Sequence, residues 1–531
     1  MILSPRSCRV IYANPPTLAG MERVINFGTT FHHDCLMNMK SILKWIGAAL
    51  IFLFSVMLIR TFTFGEEAVD VKSVPLLEID EEGFAERFAG GLRIPTVAYT
   101  DRSKMDPEAF KTFHSYLESN YPKVHRYLKR EIIGDLSLLY LWEGTDPSLN
   151  PVLLMAHMDV VPVTDESVDD WTHGPFKGDV ADGYIWGRGA MDDKASLFSI
   201  MEAVEWLLND GFSPVRSIYI SFGYDEEIGG TQGAAKVAEL MQSKNIVPEF
   251  VLDEGGGLLS GDMLPINSMS AFVAMGEKGY MSVKLTAHGQ GGHSSMPGKE
   301  TTIGILAAAV QKLQDNPLPA SMTPSIRHMM EAFAPAMPFW VRILIANQWL
   351  FEKPFVRYAS GRSILSALMR TTTAPTIIEG GVKDNVIPPT ATAVVNFRLR
   401  PGDSIDWVLE MVRKIVNDER VHIEIAEGFG SEASNISDVN TSQFDLLATT
   451  IHQVFPETVV VPGLSPGGTD SKHFQGLTPH IYRFIPFDRY QGKIEGVHGT
   501  NEKLSVKSLR DGVTFYTQLL RNSSSDILSQ R

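Results

Sequence analysis

Between residues 130 and 260 short apolar runs alternate with longer stretches whose apolar residues recur every three or four positions. The runs Leu136–Trp142, Val152–Ala156, Ile218–Phe222 and Phe250–Leu252 predict strands. The stretches Asp193–Asn209 and Gln232–Ser243 predict helices. The first carries Ala195, Phe198, Met201, Val204 and Leu208 on one face, with Gly211 just past its end. Upstream, Phe110, Phe113, Leu117 and Tyr121 predict helix across Pro107–Arg130. Strand and helix in alternation predict an α/β domain with a largely parallel central sheet flanked by helices. The rhythm changes near Gly276. Tyr280–Ala287 and Ala391–Leu399 alternate as half-exposed strands around an Ala-rich helix, Thr302–Leu313. This predicts a smaller inserted α+β domain over 278–400. From Ser404 the alternation of helix and strand returns, so residues 401–531 are expected to rejoin the sheet begun by residues 65–277.

Two segments depart from these patterns. Trp45–Ile59 is apolar throughout, lies between Lys44 and Arg60, and reaches about twenty residues with Thr61–Phe64, enough for a membrane span. Arg60 follows directly and no small-x-small cleavage site is evident, which favours an uncleaved signal anchor over 41–64 above a cleaved signal peptide. Arg6, Arg9, Arg23, Lys40 and Lys44 precede the span, while Glu66, Glu67 and Asp70 follow it. Residues 1–40 are therefore expected in the cytoplasm and the large body outside it. Met37 and Met39 stand just before the span as alternative starts. The second segment, Met337–Phe355, is apolar but broken by Arg342, Asn347 and Gln348, so it is no span. It reads either as core helix, or as a lining for a greasy substrate or a membrane-facing patch.

Composition narrows the function. A chain of 531 residues, 44% hydrophobic and 21% charged, fits two or three globular domains. A net charge of −15 with no basic stripe argues against nucleic acid as a partner. The two cysteines, Cys8 and Cys35, both precede the apolar segment. Any metal in the body must be held by His, Asp and Glu.

Such residues stand where the predicted strands end. His157 and Asp159 follow the strand at Val152; Asp192 and Asp193 open the long helix; Asp225-Glu226-Glu227 precedes Gly229-Gly230; Asp253-Glu254 ends the strand at Phe250; and His498 comes far along the chain. In a parallel sheet these carboxyl ends share one edge. Adjacent buried glutamates are costly without a cation beside them. Two histidines and several carboxylates suit zinc, cobalt or manganese, and one carboxylate can bridge two metals. A rival motif, Gly463-Leu464-Ser465-Pro466-Gly467, fits a serine nucleophile elbow by spelling alone. The residue after its serine is proline, which has no N–H for an oxyanion hole.

His157-Met158-Asp159-Val160-Val161-Pro162-Val163, Gly187-Arg188-Gly189-Ala190-x-Asp192-x-Lys194, Asp225-Glu226-Glu227-x-Gly229-Gly230, Asp253-Glu254-Gly255, Gly292-His293-Ser294-Ser295, Asn385-Val386-Ile387-Pro388 and His498-Gly499-x-Asn501-Glu502 come in one order. Together they resemble the di-zinc family of aminoacylase, carboxypeptidase S and succinyl-diaminopimelate desuccinylase, above all its carboxypeptidase S-like and N-acyl-amino-acid synthase/hydrolase branch, across roughly residues 75–525. The resemblance implies two Zn2+ per subunit: His157 and Asp253 on one, Glu227 and His498 on the other, Asp192 bridging. Relatives differ over which acid of the Asp-Glu pair binds, so Glu254 is the alternative to Asp253. Asp159 would fix the His157 tautomer. Glu226 would be the general base. His293 would stabilise the oxyanion, often in a partner subunit's site, making the inserted domain a lid and dimerisation element. Asn385 and one of Arg398 or Arg400 would hold the substrate carboxylate. Many relatives have Arg where this chain has Lys472, so a point charge replaces a fork in the loop Gly467-Gly468-Thr469-Asp470-Ser471.

The expected activity is hydrolysis of an amide next to a free carboxylate, in a small peptide or an N-acyl amino acid. The alternative is a membrane-anchored binding or receptor ectodomain that keeps the fold without catalysis. The intact set of ligands and Glu226 separates the two.

Overall fold

A computed structural model describes residues 30–64, 71–260, 269–426, 430–488 and 496–524. Cys8 and the flanking charges Arg6, Arg9, Arg23, Glu66, Glu67 and Asp70 lie outside them. The chain divides into two compact units, Met1–Phe62 and Thr63–Arg531. In the first, Thr30–Phe62 is one helix. Its part Ser41–Phe62 is 22 residues long with mean hydropathy 2.4, long and apolar enough to cross a membrane.

The second unit is built on a nine-stranded sheet. Its order is Lys129–Ile133, Ser137–Trp142, Ile218–Gly223, Val152–His157, Phe250–Asp253, Ile481–Arg483, Ser270–Glu277 and Val459–Ser465, with Gly257–Leu259 also pairing on Ser270–Glu277. The strands at Ile218, Val152, Phe250 and Ile481 run parallel at its centre. Antiparallel pairing begins at Ser137–Trp142 on one side and at Ser270–Glu277 on the other. All six residues of Val152–His157 are buried. Val152, Leu154 and Ala156 join one core with Phe198, Phe222 and Phe515, while Leu153 and Met155 join another with Ala234, Val237 and Val251. A strand covered on both faces needs no polar alternation, hence its continuous apolar sequence. The helices Lys194–Asn209 and Val506–Ser523 pack together on the first face.

Local chemistry explains where elements break. The helix predicted across Pro107–Arg130 is two, Pro107–Asn120 and Pro122–Tyr127, followed by the edge strand at Lys129. Pro122 has no N–H to continue the first helix, and it holds Tyr121 outside helical geometry.

A second, wholly antiparallel sheet contains Thr372–Gly380, Thr390–Leu399, Gly279–His288 and Val421–Ile425. Val283, Leu285, Val395 and Phe397 pack beneath helices that contribute Ile305, Leu306, Val408 and Val412. This layer does not stop at residue 400 as the strand pattern suggested. It runs on through Ile405–Val416 to Ile425, because those residues complete its core. The apolar segment near Met337 forms two helices, Phe339–Ala346 and Gln348–Ala359, separated at the buried Asn347. Only Ile345, Ala346 and Ala359 of these helices are buried, while Phe339, Trp340, Leu344, Trp349 and Leu350 face solvent. A core helix is therefore the wrong reading.

Candidate metal centre

Three neighbouring parallel strands deliver polar residues to one edge of the large sheet. Val152–His157 ends at His157; Ile218–Gly223 leads to Asp225, Glu226 and Glu227; and Phe250–Asp253 leads to Glu254. The turn Glu226–Ile228 can reverse at once because Gly229 and Gly230 take φ of 102° and 68°, the left-handed region that glycine adopts freely. Asp192 arrives at the same edge from the start of the helix Lys194–Asn209. His498 comes from the C-terminal part of the chain.

Asp192 lies between the two histidines. Its Oδ1 is 3.0 Å from His157 Nε2 and its Oδ2 is 3.3 Å from His498 Nε2. Beyond them, Glu254 Oε1 is 3.6 Å from His157 Nε2, and Glu227 Oε1 is 3.1 Å from His498 Nε2. Two groups have donor atoms close enough to share an ion: His157 with Asp192 and Glu227, and His157 with Glu226 and Glu254. Asp253 is turned elsewhere, its Oδ2 accepting the Ser471 N–H at 2.8 Å. On an extended strand consecutive side chains take opposite sides, so only one acid of the pair can face His157, and here it is Glu254.

The surrounding residues hold these groups in place. His157 Nδ1 is 3.0 Å from the Asp159 carbonyl oxygen and 3.4 Å from its carboxylate. The same carboxylate accepts the backbone N–H groups of Glu226 and Glu227, at 3.3 and 3.1 Å. Asp159 thus orients a ring on one strand and two glutamates on the next. Glu502, fully buried, receives Arg188 Nη1 at 2.7 Å and the N–H groups of Gly189, Met191 and Asp192 at 3.0, 2.8 and 3.2 Å. Arg188 also donates to the His498 carbonyl, at 3.2 Å. Sequence reasoning gave Arg188 and Glu502 no role. Their one signal was a place inside motifs that also carry ligands.

Electrostatics show what the cluster lacks. Burial pushes the Glu226 carboxyl well up; His157 opposes this, while Glu254, Glu227 and Asp470 add to it. Burial likewise pushes Glu227 up to about 7 against its hydrogen bond to His498. Hydrogen bonds to Asp192 and Glu227 raise His498 to about 10. Burial opposes charge on His157, yet the carboxylates of Asp159, Asp192 and Glu254 hold its proton far above the ordinary range. Five carboxylates around two imidazoles suit a cation: Asp159, Asp192 and Glu254 are buried, each buried anion costs several kcal/mol, and positive charge beside them offsets that. The donors are nitrogen and oxygen only, the set expected for zinc or a similar divalent ion.

The remaining candidates stand apart from this cluster. His293 is exposed on a two-residue strand paired with Val386–Ile387, its Nδ1 accepting from Ser295, and Asn385 accepts the Ser294 N–H beside it. Arg398 lies over the Tyr280 ring at 4.7 Å, and Arg400 Nη2 donates to Asp403 at 2.7 Å.

A carboxylate set between two histidines at the carboxyl edge of a parallel sheet suits metal-assisted hydrolysis. The sequence profile of Peptidase family M20/M25/M40 matches residues 153–522, and the chain belongs to that family. It is 42% identical over 444 residues to the probable carboxypeptidase S-like 2 of Dictyostelium discoideum, covering 83% of this chain and 85% of that one. It is 39% identical over 485 residues to the N-fatty-acyl-amino acid synthase/hydrolase PM20D1 of Xenopus tropicalis, covering 90% and 94%. Among solved structures, an M20 family metallo-carboxypeptidase from Sulfolobus solfataricus superposes with a TM-score of 0.61 at 17% identity, covering 84% of this chain and all of that one. A binding ectodomain without catalysis is not favoured.

Proposed function

We propose that the protein is a zinc-dependent hydrolase of amides whose amine half is an amino acid with a free carboxylate. The position of Asp192 between His157 and His498, with Glu226 beside them, carries this reading. Two zinc ions would be held by His157 with Glu254 and by Glu227 with His498, Asp192 serving both. When bound, the metal supplies Lewis acidity, which polarises the scissile carbonyl and acidifies water. Glu226 takes a proton from the water that attacks that carbonyl. It then passes the proton to the departing amine as the C–N bond breaks. His293, exposed and apart from the cluster, acts from a second copy of the chain, where it donates to the oxyanion. Asn385 with Arg398 or Arg400 supplies donors for the substrate carboxylate.

Two substrate classes share this amide: peptides cleaved at the C-terminal residue, and N-acyl amino acids. The names of the two relatives support one each. We further propose that Ser41–Phe62 anchors the protein, with residues 1–40 cytoplasmic and the body on the far side.

The test combines metal analysis with a substrate panel. The purified chain should carry about two zinc equivalents. It should cleave either dipeptides or acyl amino acids of increasing chain length, and Glu226→Gln should lower kcat by roughly 10²–10⁴-fold with metal retained. Turnover that survives complete removal of metal would refute the proposal.

A further inference from the structure

The helices Phe339–Ala346 and Gln348–Ala359 expose Phe339, Trp340, Leu344, Trp349, Leu350 and Tyr358, with Trp340 67% and Tyr358 60% accessible. Residues 337–362 contain four cations, Arg342, Lys353, Arg357 and Arg362, against one acid, Glu352, in a chain whose net charge is −15. Glu352 is already paired with Arg327 at 2.7 Å. Lys353 and Arg357 are exposed and follow Trp349 at intervals of four, so they share its face of the helix. Tryptophan, tyrosine and leucine beside exposed lysine and arginine is the composition that settles at a lipid headgroup boundary. It is also the composition least suited to bare solvent.

One contact places this surface. Arg342 Nη2 donates to the Phe64 carbonyl at 3.1 Å. Phe64 is two residues beyond Phe62, where the membrane-length helix ends. Two residues of chain span at most about 7 Å. Arg342 sits on the same helix as Trp340 and Leu344. The exposed apolar face therefore lies beside Phe64, at the start of the second unit.

We infer that these two helices rest on an anionic membrane surface, with Trp340, Leu344, Trp349 and Leu350 inserted at the headgroup level and Lys353 and Arg357 against lipid phosphates. The inference rests on the anchor reading of Ser41–Phe62. A docked membrane would fix the orientation of the catalytic unit and hold its surface against the phase into which acyl chains partition.

The test uses the full chain with Cys8 and Cys35 changed to serine, reconstituted in vesicles of phosphatidylcholine and phosphatidylserine. Nitroxides are attached singly through Leu344→Cys, Leu350→Cys, Ile51→Cys and Val168→Cys. Collision with oxygen, which concentrates in lipid, is compared with collision with a water-soluble nickel chelate. The oxygen-to-nickel ratio at 344 and 350 should stand several-fold above that at 168 and approach that at 51. A ratio at both positions equal to that at 168 overturns the inference while leaving the anchor intact. Exclusion of both reagents points to a protein partner and overturns it equally. A water-like value at 51 removes the anchor, and the inference with it. Two label sites on different helices keep the result readable if one substitution disturbs folding.

Discussion

Glu502 Oε1 accepts the backbone N–H of Asp192 at 3.2 Å, so an acid near the end of the chain fixes the loop that carries the bridging carboxylate. The same residue neutralises Arg188, and both are buried. Removing the charge from one member of such a pair strands the other. Glu502→Gln is expected to destabilise folding by about 3–5 kcal/mol and to reduce bound metal. Denaturant unfolding with metal analysis on the same sample checks both. Normal stability and metal content in the variant would show that the clamp is dispensable.

The acid pair gives a sharper test of ligation. Glu254 faces His157, whereas Asp253 is occupied by the Ser471 N–H. Glu254→Gln should lose about one metal equivalent and nearly all turnover. Asp253→Asn should keep both metals, with a modest fall in activity from a loosened Ser471 loop. The reverse pattern would return the ligand role to Asp253.

The proposal that His293 acts from a second copy makes a distinctive prediction. His293→Ala and Glu226→Gln should each be nearly inactive alone. Unfolded and refolded together, or co-expressed, they should regain activity. Random pairing gives half heterodimers, each with one site that has both residues, or about a quarter of all sites. Mixtures no better than the sum of the single variants would place His293 in its own subunit's site or outside catalysis.

A pH effect on stability comes from His114, away from the metal centre. Burial pulls its pKa down to about 4, against a hydrogen bond to Leu136. Its Nε2 has no hydrogen-bond partner among the described residues. The unfolded chain binds this proton near the ordinary value of about 6.5. Between those values the unfolded state holds more protons, so stability rises with pH. The contribution is complete above about 6.5 and is lost as pH falls toward 4. Melting temperatures at pH 7 and pH 5 should therefore differ less in His114→Asn than in the unchanged chain. Identical differences would mean that another group controls the slope.

What the sequence disclosed follows from where its constraints are local. Val152–His157 was readable because a strand buried on both faces cannot hide its composition, and the candidate ligands stood out because they follow such strands. The choice between Asp253 and Glu254 was not, since it depends on the last residue's direction as the strand leaves the sheet. The Arg188–Glu502 clamp was invisible for a related reason. Its partners are 314 residues apart, and nothing in either motif marks the other. The extent of the second sheet was misjudged because an amphipathic helix such as Ile405–Val416 shows that it has a partner and not which sheet that is. The helices at Phe339 and Gln348 are the converse: their apolar content suggested burial, but only the fold shows that Trp340, Leu344, Trp349 and Leu350 are exposed.

The distribution of the proposed ligands along the chain has a consequence for biosynthesis. His157, Asp192, Glu227 and Glu254 lie in the first half, while His498 and the clamp residue Glu502 lie close to the end. A chain still on the ribosome can assemble only part of the centre, with no second histidine and no support for the bridging loop. On the proposed ligand set, hydrolytic capacity arises only once His498 and Glu502 have been delivered, so a nascent chain that stops short of them is silent.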